Sequence, residues 1–521
     1  VTSPRDPVVI VGAGPVGVAC ALLLAKRGLP SVVLERHREV YALPRAVHLD
    51  DEVFRILQAV GVADEFASDT RPMPGMRLIN GRRRVMTEFA RNTADGRNGY
   101  PPDSMFDQPD LERILLAHAA TEDLIDLRRG CEVTEIAAGR RPTVCFRNAD
   151  EQTETIDAAA VIGCDGANSF VREQLGITMR DFDFDEQWLV IDVRTPTPLD
   201  VWDGVHQICD PARAATFMPV TGNRYRWEFR VFDGEDLESL RSPEKLRELL
   251  TPWMTPAELE ESEVMRQAFY TFRARVARTW RVDRVFLAGD AAHQTPPFVG
   301  QGLGSGLRDA MNLSWKLADV LDGDASETIL DTYESERRPN ATRIVLMALA
   351  VGWALTGGQD ALASVRRAVV AAACHIPGIG NALPEGTPPL GRGPLVERRG
   401  LRNRLNGSIF PQPWVRTDDG ARRLDDVTGS GYTLVTRGPL DPSTAARVVE
   451  AGLHHVDADA LRCVPSGNPT PAALMRRHRA HAVLVRPDRV VRATAHTAAD
   501  VAGLVSMLHA RTMPGTHQVA R

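Results

Sequence analysis

Apolar positions near the start of the chain come in short runs separated by glycine turns. Pro7 to Val11 is a run rich in β-branched residues, and Gly12 to Gly17 make a glycine turn. Val18 to Arg27 has helical composition and ends at Gly28, as a C-cap glycine would end it. Ser31 to Leu34 is a second buried strand and closes on Glu35. A strand, helix and strand in this order predict a parallel sheet with helices on its faces.

Helices are expected at Asp51–Leu57 and Leu111–Ala120, with loops and short antiparallel strands in the Gly-, Pro- and Arg-rich stretch Arg71–Pro102 between them. Cys131–Ile136, Thr143–Phe146 and Ala160–Gly163 read as strands, the last running into a second glycine turn at Asp165–Gly166. From 180 to 280 the pattern changes: Trp188–Val193 and Tyr225–Val231 are strand-like, and Pro243–Leu250 is helical. This predicts a mostly antiparallel sheet suited to covering a substrate. Val285–Ala288 returns to a buried parallel strand, followed by a glycine-rich turn, a long helix at Gly306–Leu321, and helical stretches at Leu330–Arg343 and Ile344–Thr356. The apolar run Ile344–Thr356 is too short for a bilayer, which takes about 20 residues, and is read as a buried helix. Pro377–Pro394 has linker composition. Beyond it, strands at Tyr432–Val435, Cys463 and Val483–Val485 and helices at Ser443–Ala451 and Ala498–His509 predict a small α/β appendage.

A chain of 521 residues exceeds one simple core, so two or three domains are expected. The divisions read as 1–180, 181–280 (the antiparallel middle), 281–376, a linker at 377–400, and 401–521. With 43% hydrophobic and 25% charged residues and a net charge of −6, the chain has globular composition and no basic face for nucleic acid. Seven scattered cysteines without C-x-x-C support neither a zinc ribbon nor a dithiol centre, and no metal site is expected. Scattered thiols, no visible export signal and no stable membrane insertion point to the cytoplasm.

Three motifs carry chemistry. Gly12-Ala-Gly14-Pro15-Val16-Gly17 allows a tight turn and close approach of backbone to a pyrophosphate, with Glu35 placed to accept from a ribose hydroxyl. That pattern alone does not separate NAD from FAD. Asp290 follows a buried strand, where a carboxylate can bind a sugar-alcohol chain, and Gly300 and Gly302 bare N–H groups at a helix start. Those donors suit a ring that gains negative charge on reduction. Asp165-Gly166 with Ser169 is a third turn, readable as a plain helix cap or as a cofactor contact.

In this order and at this separation, the three motifs resemble the group A flavoprotein aromatic hydroxylases, most of all the 3-(3-hydroxyphenyl)propionate hydroxylase type. Pro44-Arg45-Ala46, Asp50-Asp51-Glu52, Gln108-Pro109, Asp309-Ala-Met-Asn312, Tyr333-Glu-Ser-Glu336-Arg337-Arg338-Pro339 and Val485-Arg486-Pro487-Asp488-Arg489 extend the likeness over nearly the whole chain. The resemblance implies a Rossmann-like FAD-binding domain, an inserted antiparallel substrate domain and a thioredoxin-like C-terminal domain lacking the cysteine pair. It places Glu35, Arg36, Arg45, Gln108, Val133, Asp165, Gly166 and Asp290 along FAD, and Pro297, Gly300, Gln301, Gly302, Leu303 and Gly304 beside its ring. Relatives often carry Asn where this chain has Gly304.

The implied reaction uses NADH or NADPH as electron donor and O₂ as co-substrate, hydroxylating a phenol through a flavin C4a-hydroperoxide. The implied substrate is a small 3-hydroxyphenylalkanoate. Alternatives are a larger polyketide-type phenol, or a halogenase or reductase of the same fold, although the halogenase segment W-x-W-x-I-P is absent. His48, Tyr270 and Arg273 are the candidates to meet substrate, each with a structural role as the competing reading; His293 is expected to shape the Asp290 turn. The tail is expected to serve packing or oligomer contact, as in a homodimer.

Overall fold

The computed structural model describes residues 5–40, 46–210, 212–356, 365, 387–398, 400 and 403–509. Arg45 and residues 377–386 and 399 of the linker lie outside these residues.

The β-branched run at the N-terminus becomes the strand Val8–Val11, the middle of a six-stranded sheet. Ala160–Gly163 and then Val285–Leu287 lie parallel on one side of it, and Ser31–Glu35 and then Ile125–Arg129 lie parallel on the other. The two-residue strand Arg281–Val282 closes one edge antiparallel. Val8–Val11, Ala160–Gly163 and Val285–Leu287 are buried on both faces, which is why they read as continuous apolar runs. The helices Pro15–Ala25 and Gly302–Leu321 pack on the sheet and on each other.

The second large sheet has eight strands. Met179–Arg194 and Glu263–Ala277 form a long pair near one edge, with Arg224–Arg230, Ala215–Pro219 and Val205–Cys209 following beyond Met179–Arg194. It does not stop at the expected middle region. Gly75–Asn80 joins parallel to Val205–Cys209, and Val85–Ala90 pairs outside it. The stretch read as loops and short strands thus completes the sheet from a position a hundred residues earlier. Its alternation is weak because Val85–Ala90 is an exposed edge strand.

The apolar run is the second half of one long helix, Asp331–Thr356. It is not buried all round: Leu346 and Trp353 are exposed, while Met347, Ala350, Val351 and Ala354 face a cavity. No helix among the described residues is long and apolar enough to cross a membrane.

The tail forms a four-stranded sheet in the order His454–Asp457, Thr433–Thr436, Ala482–Val485, Val491–Ala495, with the first pair parallel and the others antiparallel. Helices Pro442–Glu450, Pro471–Arg477 and Ala498–His509 accompany it, giving the expected thioredoxin-like arrangement. Cys463 makes only an isolated bridge with Val415 and is a free thiol.

Candidate active site

Val11, Gly163 and Leu287 stand side by side in the parallel register. The turns that follow them, at Gly12, Asp165 and Asp290, therefore open on one crevice at the carboxyl ends of neighbouring strands. The chain reverses direction across the sheet at this point, which is where such sheets take ligands. A cavity of about 2290 Å³ runs from this crevice to the eight-stranded sheet.

Gly12, Gly14, Pro15, Val16, Glu35 and Arg36 line its near end, with Gln108, Val133, Asp165 and Gly166 along the side. Asp290, Pro297, Gly300, Gln301, Gly302 and Leu303 line the part nearer the sheet. Gly17 and Gly304 do not reach the cavity. Gly17 packs on the Gly12 carbonyl, and a Cβ at Gly304 would meet Arg308 at 2.8 Å.

Glu35 closes its strand and folds back: Oε2 accepts from Ala13 N and Oε1 from His37 N, both at 2.9 Å. Each oxygen keeps a lone pair for a further donor. Gln108 Oε1 accepts from Ala46 N at 2.8 Å. The Asp165 side chain is spent on its own helix, accepting from Ser169 Oγ at 2.6 Å and Val171 N at 3.0 Å. That turn offers backbone to the cavity, and its carboxylate acts as the cap that the plainer reading expected. Asp290, by contrast, makes no hydrogen bond or ion pair with a described residue.

Helix ends show a telling contrast. Asp50, Ser169 and Asp441 cap their helices with side-chain acceptors. The helices Pro15–Ala25 and Gly302–Leu321 start at Gly14 and Gln301 with no side-chain cap, and both ends face the cavity. Their first N–H groups and positive dipole ends await an acceptor. A Cβ at Gly14 or Gly302 would find no protein atom within 4 Å. Two uncapped donor ends, a free carboxylate between them and an acid at the strand end suit an extended anionic dinucleotide such as FAD.

Gly300 has φ +60°, and a Cβ there would meet His48 Nδ1 at 2.7 Å. His48 lines the cavity. Its Nε2 lies 2.9 Å from Asp103 Oδ1, and its Nδ1 lies 3.5 Å from the Gly300 carbonyl. Burial works against a charged imidazole here, but the Asp103 carboxylate outweighs it and the His48 pKa is raised. His293 is fully buried, bonded to Asp309 at 2.8 Å and stacked on Trp280. Asp309 also accepts from Gly289 N, which links His293 to the turn that carries Asp290.

The far wall is one face of the eight-stranded sheet. Along Arg224–Arg230, Tyr225, Trp227 and Phe229 enter an apolar core while Arg226 and Glu228 line the cavity. Register assembles two polar rows. In one, Asp192 lies between Arg226 and Arg266. Arg226 Nε donates to Asp192 Oδ1 at 2.7 Å, and Arg266 Nε lies 3.0 Å from Oδ2. In the other, Gln207, Thr216 and Glu228 stand in sequence on three strands. Tyr270 lines the cavity and accepts from Arg266 Nη1 at 3.0 Å. Arg273 sits at the margin, half exposed and paired with Asp185 at 3.1 Å. Gln207, Thr216 and Glu228 were missed from the sequence, although the strict alternation of Arg224–Arg230 is a signal that could have marked Glu228. Trp188 and Phe298 meet at 6.0 Å and join the two halves.

Residues 5–348 match the family described as FAD binding domain, and residues 407–511 match the HcaD C-terminal domain. The chain is 34% identical over 519 residues to a probable NADH-specific resorcinol 4-hydroxylase of Rhodococcus jostii (strain RHA1), covering 97% of this chain and 95% of the relative. It is 33% identical over 533 residues to 3-(3-hydroxy-phenyl)propionate/3-hydroxycinnamic acid hydroxylase 2 of Burkholderia vietnamiensis (strain G4 / LMG 22486), covering 97% and 96%. Among solved structures, a ternary complex of aklavinone-11 hydroxylase with FAD and aklavinone superposes with a TM-score of 0.80 at 26% identity, covering 98% of this chain and 99% of that one. A shared cofactor domain, relatives alike over almost their whole length and a cavity shaped for a dinucleotide agree: the chain belongs to the FAD binding domain family, as an FAD-dependent aromatic monooxygenase.

Proposed function

We propose that this enzyme hydroxylates a small phenol with a substituent meta to its hydroxyl, of the 3-hydroxyphenylalkanoate type, with NADH as donor. The observation that carries the reading is the single cavity that joins two uncapped helix ends to a polar-rowed sheet. The likeness to the Burkholderia and Rhodococcus relatives supports the substrate class and the donor. The six free cysteines of the described residues suit the cytosol, where we place the reaction.

Bound FAD supplies the redox chemistry, accepting hydride and passing one atom of O₂ to the ring. Glu35 would hold the adenosine ribose, the Gly14 helix end the pyrophosphate, and Asp290 the ribityl chain. The Gly302 helix end would stabilise negative charge on the reduced ring. His48 acts as a positioning residue: its two nitrogens face Asp103 and the Gly300 carbonyl, so it holds the turn beside the ring. Trp188, Phe272, Phe298 and Met218 line the reaction space with apolar surface that excludes water.

The test is a panel of phenols assayed for NADH oxidation coupled to product under ¹⁸O₂. One labelled oxygen in a hydroxylated 3-hydroxyphenylalkanoate is the expected result. NADH oxidation yielding only H₂O₂ with every small phenol, and coupled turnover with a polycyclic phenol, would move the substrate to the larger class, for which the aklavinone hydroxylase likeness speaks.

A further inference from the structure

Glu228 is a charged group on the cavity face of the eight-stranded sheet. It stands in the middle of Arg224–Arg230 and is 8% exposed. It makes no hydrogen bond or ion pair with a described residue. Its row-mates bond elsewhere: Thr216 Oγ1 donates to Gln207 Oε1, and Gln207 Nε2 donates to the Ala215 carbonyl, both at 3.1 Å. In the next row Arg226 is held by Asp192. Burial accordingly pushes the Glu228 pKa up, with Arg226 opposing. A carboxylate so placed is completed only by a donor arriving from the cavity.

Charge decides what kind of donor. Arg226 and Arg266 balance Asp192 and Glu228, so the wall has no surplus negative charge to hold a cation. A neutral O–H is the matching partner. Location decides which molecule brings it. Val190, directly opposite Glu228, lies two residues from Trp188, whose ring meets Phe298 beside the Gly300 turn.

Resting on the reading of this chain as a phenol hydroxylase, we propose that Glu228 accepts the hydrogen bond of a substrate hydroxyl. It is then the residue that selects donor-bearing phenols over their ethers. Accepting that bond also draws the hydroxyl toward phenolate, which raises electron density on the ring carbons ortho and para to it. A substrate carboxylate must point elsewhere, because two like charges on this wall repel.

The experiment uses the FAD-loaded full chain, with binding read from the perturbed flavin spectrum. Two pairs are compared: 3-(3-hydroxyphenyl)propionate with its methoxy analogue, and resorcinol with 1,3-dimethoxybenzene. Wild type should bind each hydroxyl form roughly 10- to 100-fold more tightly, the range of a bond to a charged acceptor. Glu228→Leu should erase that preference and raise KM more than it lowers kcat, while Glu228→Gln should retain part of it. A Glu228→Leu variant that keeps the wild-type preference overturns the inference and leaves the phenol reading standing. If that variant does not fold, wild type binding ethers as well as hydroxyls overturns it. Wild type binding neither hydroxyl form sinks both readings.

Discussion

Single residues in this site divide into those completed by the protein and those left open. Asp165 and His48 are completed, one by its helix and one by Asp103 and the Gly300 turn. Asp290 and Glu228 are open and face the cavity. Asp51 is a third case, a buried carboxylate that accepts from Asn98 N at a long 3.4 Å. Burial first, and the neighbouring Asp50 second, push its pKa up to about 7 from an ordinary 3.8. Between those values the folded protein binds the proton more tightly than the unfolded chain does, so stability falls as pH rises through the window. Asp51→Asn removes that penalty. Its stability advantage over wild type should widen by about 1–3 kcal/mol between pH 5 and pH 8. Thermal unfolding at both values checks this, and a constant difference would count against a raised Asp51.

At the scale of elements, the site depends on what is missing from two helices and on what one sheet turns toward the cavity. Capping side chains are absent at the Gly14 and Gln301 helix ends, which face the cavity, and present at Asp50, Ser169 and Asp441. The sheet can present charge because Asp192 is shared by two arginines across three strands. Asp192→Ala would leave Arg226 and Arg266, on the two strands that flank it, buried without their shared ion-pair partner, a loss of about 3–5 kcal/mol. Chemical denaturation should record it. The Asp192→Asn variant should lose less, since it keeps one acceptor oxygen.

At the scale of the whole molecule, the tail domain is locked to the cofactor domain through a buried charged cluster. Arg486 donates to Glu336 Oε1 and Oε2 at 2.7 and 2.8 Å, Lys316 Nζ donates to Glu336 at 2.7 Å, and Asn312 bridges Glu336 and Asp488. Arg55 and Arg489 meet Asp425 in a second lock. Burial opposes ionisation of Glu336, but Arg486 and Lys316 outweigh it and hold its carboxyl well below the usual range. Its contribution is therefore complete above about pH 4.5 and is lost as pH falls through the folded-state value. Glu336→Gln should destabilise the enzyme by about 3–5 kcal/mol at neutral pH. It should also let a protease separate the tail from the rest at a pH where wild type resists. Equal resistance in the two proteins would mean that the cluster does not hold the domains together.

Sequence by itself determined the parallel sheet, its glycine turns, the helices behind them and the tail, because each is encoded locally: a buried strand is a continuous apolar run, a tight turn needs glycine, and a helix end shows its cap. Glu35 and Asp290 could be picked out for the same reason, since one closes a buried strand and the other is the first acid after one. Only the tertiary structure decided which carboxylates are spent and which are free. Asp165 and Asp290 look alike in sequence and both line the cavity, yet the Asp165 carboxylate bonds its own helix and that of Asp290 bonds no described residue. The far wall is likewise a product of register between distant strands, with Gly75–Asn80 beside Val205–Cys209 and Asp192 between Arg226 and Arg266. Pairing across such separations is set by the packing of two faces at once, and no local window of the chain records it.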